Sequence, residues 1–81
     1  MEPGAATQTV NFWELFQVGV GNTLITKKSI IVNWVLIPAY AVIHPGNLIA
    51  GVDFHQRRGY NLAVEDQNGA AVIRGFYPPA P

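Results

Sequence analysis

Two histidines are the residues of this 81-residue chain best suited to chemistry. His44 lies near the end of a long apolar segment, where a neutral imidazole is a good axial ligand for the metal of a haem or a pigment. The alternative for His44 is an imidazole hydrogen-bonded to water, backbone or lipid. His55 follows eleven residues later, which no helical spacing brings onto the same metal, so we expect it to be solvated. The candidate cofactor ligand is therefore His44.

Signatures of catalysis are missing from the sequence. Ser29 is the one serine, and no G-x-S-x-G elbow surrounds it. Gly19-x-Gly21 lacks the rest of a dinucleotide-binding or phosphate-binding loop. Glu65 and Asp66 fall beside a predicted turn, where solvated carboxylates are expected. We therefore predict that the protein is not an enzyme.

The composition is apolar and electrically neutral. Hydrophobic residues make up 49% of the chain and charged residues 12%, with five basic and five acidic side chains and no cysteine. A chain this short has a small core and usually depends on disulfides, a metal, a membrane or a partner for stability. Without a basic surplus, nucleic acid is not an expected partner. The composition thus favours a membrane or a protein partner.

The longest uncharged stretch covers residues 29–52, between basic pairs at Lys27–Lys28 and Arg57–Arg58. As a helix, these 24 residues would reach about 36 Å, enough to cross a hydrocarbon layer of about 30 Å. Pro38 predicts a kink. Pro45 and the residues around it predict a break, so we prefer a helix ending near His44 to one continuing to Val52. The sequence predicts a membrane protein with one transmembrane helix, in an inner or photosynthetic membrane.

Two flanking segments complete the predicted domain organisation. Residues 1–28 are expected to form an arm and a short interfacial helix at Val10–Val18, with its aromatic side chains on one arc. Residues 53–81 are expected to form an extended hairpin and a proline-rich tail, because Asn68-Gly69 favours a type I′ turn. The expected pairs are Gln67 with Ala70, Glu65 with Val72, Val64 with Ile73 and Ala63 with Arg74. This register places Glu65 near Arg74 on one face, where an exposed ion pair is expected.

Aromatic and basic side chains are the predicted anchors on neighbouring subunits. They are Phe12, Trp13, Phe16, Trp34, Tyr40, Arg57, Arg58, Tyr60, Phe76 and Tyr77.

Two segments resemble known families. Arg57-Arg58-Gly59-Tyr60 with Leu62 is similar to the segment after the membrane anchor in the H subunit of purple-bacterial photosynthetic reaction centres, although Asn61 departs from the usual proline. Phe12–Phe16, followed by a span ending in a histidine, resembles light-harvesting α polypeptides, although Tyr40 stands where that family has alanine. The resemblances imply larger integral-membrane subunits and lipid as partners. They also imply chlorophyll, bacteriochlorophyll or carotenoid held by the parent complex.

Three functions remain open from the sequence. The first is a non-catalytic accessory subunit of a membrane complex such as a photosynthetic reaction centre or light-harvesting assembly. The second is a β-rich, soluble shell or coat subunit of a homo-oligomer, in which Ile30–Ile37 and Tyr40–Ile43 form buried strands, since short apolar runs do not distinguish strand from helix. The third is a membrane polypeptide that binds a pigment or haem through His44.

Overall fold

The computed structural model describes residues 7–79, which form eight short β-strands and three single-turn 3₁₀ helices. In chain order these are β1 (Gln8–Asn11), η1 (Phe12–Glu14), β2 (Phe16–Val18), η2 (Val20–Asn22), β3 (Leu24–Thr26), β4 (Ile30–Val32), β5 (Val35–Ile37), β6 (Val42–Ile43), η3 (Phe54–Arg57), β7 (Asn61–Gln67) and β8 (Ala70–Tyr77).

The strands form two sheets. The larger sheet has the order β1-β7-β8-β4-β5, and the smaller sheet has the order β2-β3-β6. Neighbouring strands are antiparallel with one exception, the parallel pair of β4 and β8. The two strands of the C-terminal hairpin therefore lie in the middle of the larger sheet, between segments that come earlier in the chain.

The predicted transmembrane helix at residues 29–52 is wrong. This stretch contains β4, β5 and β6, and no helix within residues 7–79 is long and apolar enough to cross a membrane. Its strands are two or three residues long and rich in β-branched side chains, and residues at positive φ, such as Trp34 and Gly46, lie between or after them. Such runs pair as strands, because β-branched side chains fit the pleated surface of a sheet. The architecture corresponds to the small all-β alternative.

The predictions that depended on the helix are contradicted with it. Location in an inner or photosynthetic membrane, and the photosynthetic role attached to it, no longer have a transmembrane segment to support them. The predicted interfacial helix at Val10–Val18 is also wrong, because these residues form the end of β1, the single turn η1, and β2.

An aromatic core joins the two sheets. The rings of Phe12 and Phe16 stack with centroids 4.3 Å apart, and the Phe16 and Phe54 centroids are 5.2 Å apart. All three side chains are fully buried, together with Leu24, Ile30, Ile43 and Leu62. The Asn11 side chain accepts a hydrogen bond from the Trp13 amide and caps the turn that places Phe12 in this core. Of the aromatic arc predicted to face lipid, Phe12 and Phe16 therefore face the protein interior, whereas Trp13 is partly exposed.

The Asn68-Gly69 hairpin has the predicted register over most of its length. Gln67 pairs with Ala70, Glu65 with Val72 and Val64 with Ile73. A β-bulge then shifts the register, so that Ala63 pairs with Gly75 and not with Arg74. Extra residues of this kind bend a strand and re-aim its side chains, and here Arg74 occupies the bulge.

Candidate assembly surface

The loop between β4 and β5 is two residues long and is conformationally unusual. Val32 pairs with Val35, and the intervening Asn33 and Trp34 have φ of 48° and 70°. Two central residues at positive φ are typical of a type I′ turn, in which glycine is preferred at the second position. A side chain such as tryptophan in this region costs about 1–2 kcal/mol. Trp34 is also 94% exposed, so little packing within residues 7–79 offsets that cost.

Hydrogen bonds hold the turn in place. The Asn33 side-chain amide donates to the Ala50 carbonyl at 3.0 Å. Ala50 belongs to a second tight turn, closed by reciprocal backbone hydrogen bonds of 2.9 Å between Ile49 and Val52. The hydrogen bond from Asn33 therefore holds the backbone next to Trp34 in place.

One face of the larger sheet points away from the aromatic core, and we call it the outer face. The register aligns Glu65, Val72, Ile31 and Leu36 in one row across β7, β8, β4 and β5. The free face of a mostly antiparallel sheet usually carries polar side chains, because it meets water. On this face Ile31 is only half-buried and Leu36 is 60% exposed. The apolar row is thus incompletely covered by residues 7–79.

The outer face contains a groove of about 340 Å³ beside Trp34, which we call the outer groove. Ile31, Leu36 and Val72 supply its apolar floor. Its remaining lining residues are Asn33, Trp34, Gln67, Ile73 and Arg74. An apolar floor with a few polar groups around it is typical of a site that receives an apolar or aromatic group.

The charges on the outer face balance. Arg74 Nη2 donates to Glu65 Oε1 at 3.2 Å, and the Thr7 hydroxyl donates to Glu65 Oε2 at 3.2 Å. The hydrogen bond from Arg74, aided by its charge and by Thr7, holds the pKa of the Glu65 carboxyl below its ordinary value, against a smaller opposing effect of burial. The ion pair was expected from the hairpin register. It gives the face one positive and one negative charge.

The predicted basic anchors are engaged inside the chain. Arg58 Nη2 donates to Asn22 Oδ1 at 3.0 Å and lies 2.8 Å from His55 Nδ1. Because arginine can only donate, Nδ1 accepts, and His55 Nε2 donates to the Ile43 carbonyl at 2.9 Å. The Arg57 guanidinium lies over the rings of Tyr60 and Phe76, 5.5 and 5.7 Å from their centroids. These residues join η2, β6, η3 and β8.

The predicted aromatic anchors divide into two groups. Phe12 and Phe16 are buried, Tyr60 and Phe76 are partly buried against the core, and Trp13 packs edge-to-face on Phe12 at 4.9 Å. Trp34, Tyr40 and Tyr77 have most of their surface exposed. Of the three, only Trp34 lines the outer groove.

His44 lies exposed in a turn, where its carbonyl accepts a hydrogen bond from the Asn47 amide at 3.1 Å. Within residues 7–79, no group of three or more histidine, cysteine or acidic side chains could hold a metal ion. Pigment or haem binding at His44 stays a prediction.

Sequence reasoning missed the floor of the outer groove. The sequence places Ile31 and Leu36 in the predicted span. It pairs Val72 with Glu65, and Arg74 with Ala63, in the predicted hairpin. The apolar segments Ile30–Val32 and Val35–Ile37, separated by Asn33-Trp34, are a weak hairpin signal. That signal was hidden because tryptophan is not a residue expected at the second position of a type I′ turn.

Comparison of the chain with family models, with curated protein sequences and with solved structures gives no match. The resemblances to reaction-centre and light-harvesting polypeptides, and the membrane partners that they imply, therefore stay predictions.

Proposed function

We propose that this chain is a non-catalytic structural subunit that assembles with copies of itself, as in a shell or coat. The observation that carries the proposal is the apolar outer face, where Leu36 is 60% exposed and Ile31 is half-buried, although the solvent-facing side of a mostly antiparallel sheet is usually polar. Trp34, which is 94% exposed, lines the outer groove together with Leu36. Exposed apolar side chains that lie together mark interaction sites in proteins.

The charge of the chain supports copies of itself as the partner. Five basic and five acidic residues give a net charge of zero at neutral pH. A chain without net charge meets no long-range repulsion from a second copy, and near-zero net charge favours association. Assembly would also add buried apolar surface to a small chain whose own core is limited.

The test is the mass of the full chain in solution, measured by sedimentation velocity and native mass spectrometry from about 1 μM to 1 mM. We expect discrete complexes whose population grows with concentration. Association through apolar surface should persist at 1 M salt, where the Debye length falls to about 3 Å and exposed ion pairs are screened. A monomer throughout the concentration range would refute the proposal, and dissociation at high salt would remove the role given to the apolar face.

A further inference from the structure

We infer that the outer groove of one copy receives Trp34 of a second copy, in a two-fold contact between the outer faces of two larger sheets. The inference rests on the proposed self-assembly and names the surface and the side chain responsible for it.

Trp34 has a backbone conformation that is unfavourable for tryptophan. Its φ of 70° disfavours a bulky side chain, and its 94% exposure means that the folded chain gains little from the indole ring. Glycine would fit the same turn without strain. A local conformation that costs stability without a compensating contact indicates a role outside the fold. Tryptophan is also among the residues most often responsible for the binding energy of an interface.

The second argument is the position of the groove. Trp34 and the floor formed by Ile31, Leu36 and Val72 are neighbours on one face. When a projecting group and a recess lie side by side, a two-fold axis between two such faces places each projection over the recess of the other copy. The side-chain amide of Gln67 lines the groove and can accept the indole N–H, a group that needs an acceptor when buried. The same surface therefore supplies both halves of the contact.

The third argument is charge and area. The face has one arginine, Arg74, and one glutamate, Glu65, so a two-fold arrangement can bring opposite charges together across the contact. A contact of standard size covers about 800 Å² on each partner. That area is about one sixth of the 4925 Å² that the chain exposes.

Pairing along the free edge of β5 is a poorer alternative. Val32 and Val35 close a two-residue hairpin, so the alternating pattern of an antiparallel pair leaves the backbone groups of Leu36 facing outward. The next outward position is Pro38, which has no N–H to donate. The edge therefore offers one residue for pairing, whereas the face offers a continuous apolar row.

The experiment compares three variants of the full chain by sedimentation. We expect Trp34→Gly to weaken self-association by at least about 30-fold, which is the effect of removing an interface hot spot. Leu36→Arg should weaken it through the groove floor. Val20→Ser is the matched control, because Val20 is 93% exposed but lies in η2, outside the outer groove, and it should leave association unchanged. At concentrations well below the dissociation constant, where the chain is monomeric, Trp34→Gly should leave the melting temperature equal or higher. This measurement separates lost contact from lost folding.

Fluorescence supplies a second readout. The chain has two tryptophans, so Trp13→Phe leaves Trp34 as the reporter. Its emission should shift to the blue as concentration rises, because the ring leaves water on assembly. A chain that stays monomeric would overturn both the proposed function and this inference. A chain that assembles with Trp34→Gly unimpaired, or without a change in Trp34 emission, would overturn this inference alone.

Discussion

The β4–β5 turn and the β7–β8 turn of the larger sheet have nearly the same backbone conformation, but they carry very different residues at the second position. Asn33-Trp34 has φ of 48° and 70°, and Asn68-Gly69 has φ of 55° and 89°. Asparagine suits the first position of both turns, and glycine suits the second position of only one of them. In the β7–β8 turn, the local preference and the fold agree. In the β4–β5 turn they conflict, and the conflict lies beside the outer groove.

The two turns differ in what their residues do for the fold. Asn68-Gly69 fixes the register of the central hairpin, and nothing lies within 4 Å of a Cβ built on Gly69. Trp34 fixes nothing comparable inside the chain, yet it keeps a conformation that is costly for tryptophan. Local conflicts in otherwise consistent sequences tend to occur at functional sites. This contrast is the reason for placing the assembly contact at the β4–β5 turn.

The largest predicted effect concerns what holds the open end of the β4–β5 hairpin. The buried Thr26 hydroxyl donates to the Pro38 carbonyl at 2.7 Å and accepts from the Ala41 amide at 2.9 Å. Thr26→Val should lower the free energy of unfolding by about 2–3 kcal/mol, because both backbone groups lose their partner. Thr23→Val is the control, since its hydroxyl makes one hydrogen bond, to the Val20 carbonyl, and should cost about 1 kcal/mol. Equal losses in urea denaturation would contradict this account.

The second prediction places the tryptophan of the β4–β5 turn at the equivalent position of the β7–β8 turn. Gly69→Trp should destabilise the chain by about 1–2 kcal/mol, purely through the backbone, because the position is open. Gly69→Asn should cost less, since asparagine tolerates positive φ. Thermal unfolding of both variants measures the difference. A neutral Gly69→Trp would mean that Trp34 needs no compensating partner, and the contrast between the turns would disappear.

The third prediction compares the two asparagines. Asn33→Ala and Asn68→Ala both lose a residue favoured at positive φ, but only the first removes the hydrogen bond to the Ala50 carbonyl. Asn33→Ala should therefore be the more destabilising by about 0.5–1 kcal/mol, measured by chemical denaturation. If Asn68→Ala were as costly, the support given to the β4–β5 turn by the loop at residues 49–52 would be negligible.

The smallest predicted effect is a pH dependence beside the β7–β8 turn. Because the folded pKa of Glu65 is depressed, its stabilisation is complete above the unfolded pKa and is lost as the pH falls through the folded value. Between pH 7 and pH 3, the melting temperature should fall slightly further for the native chain than for Glu65→Gln. The pair is exposed, so the difference is small. The opposite sign would show that Glu65 prefers to be protonated in the folded chain.

The turns also show how much of the fold the sequence predicts. The register near Asn68-Gly69 and the Glu65–Arg74 pair follow from turn chemistry and from alternation along the strands, and both are present. The bulge at Arg74 breaks the predicted pairing of Ala63. Gly75 inside β8 is a signal of a bulge that the predicted register does not use. The prediction of a transmembrane helix at residues 29–52 is wrong because it relies on the summed hydrophobicity of the stretch. That sum does not register the turns that divide the stretch into strands of two or three residues. Phe12 and Phe16 were assigned to a membrane surface because sequence cannot say which apolar surface an aromatic arc faces.

The order of the larger sheet also determines when the sheet can form during synthesis. The central strands β7 and β8 come last in the chain, so β1 emerges from the ribosome before its partner β7, and the β4–β5 hairpin emerges before β8. The nascent chain therefore holds β1 without its partner, and the β4 edge of the β4–β5 hairpin open, until residues 61–77 are released. Unpaired apolar strands favour aggregation, so fast expression at high concentration works against productive folding of this protein.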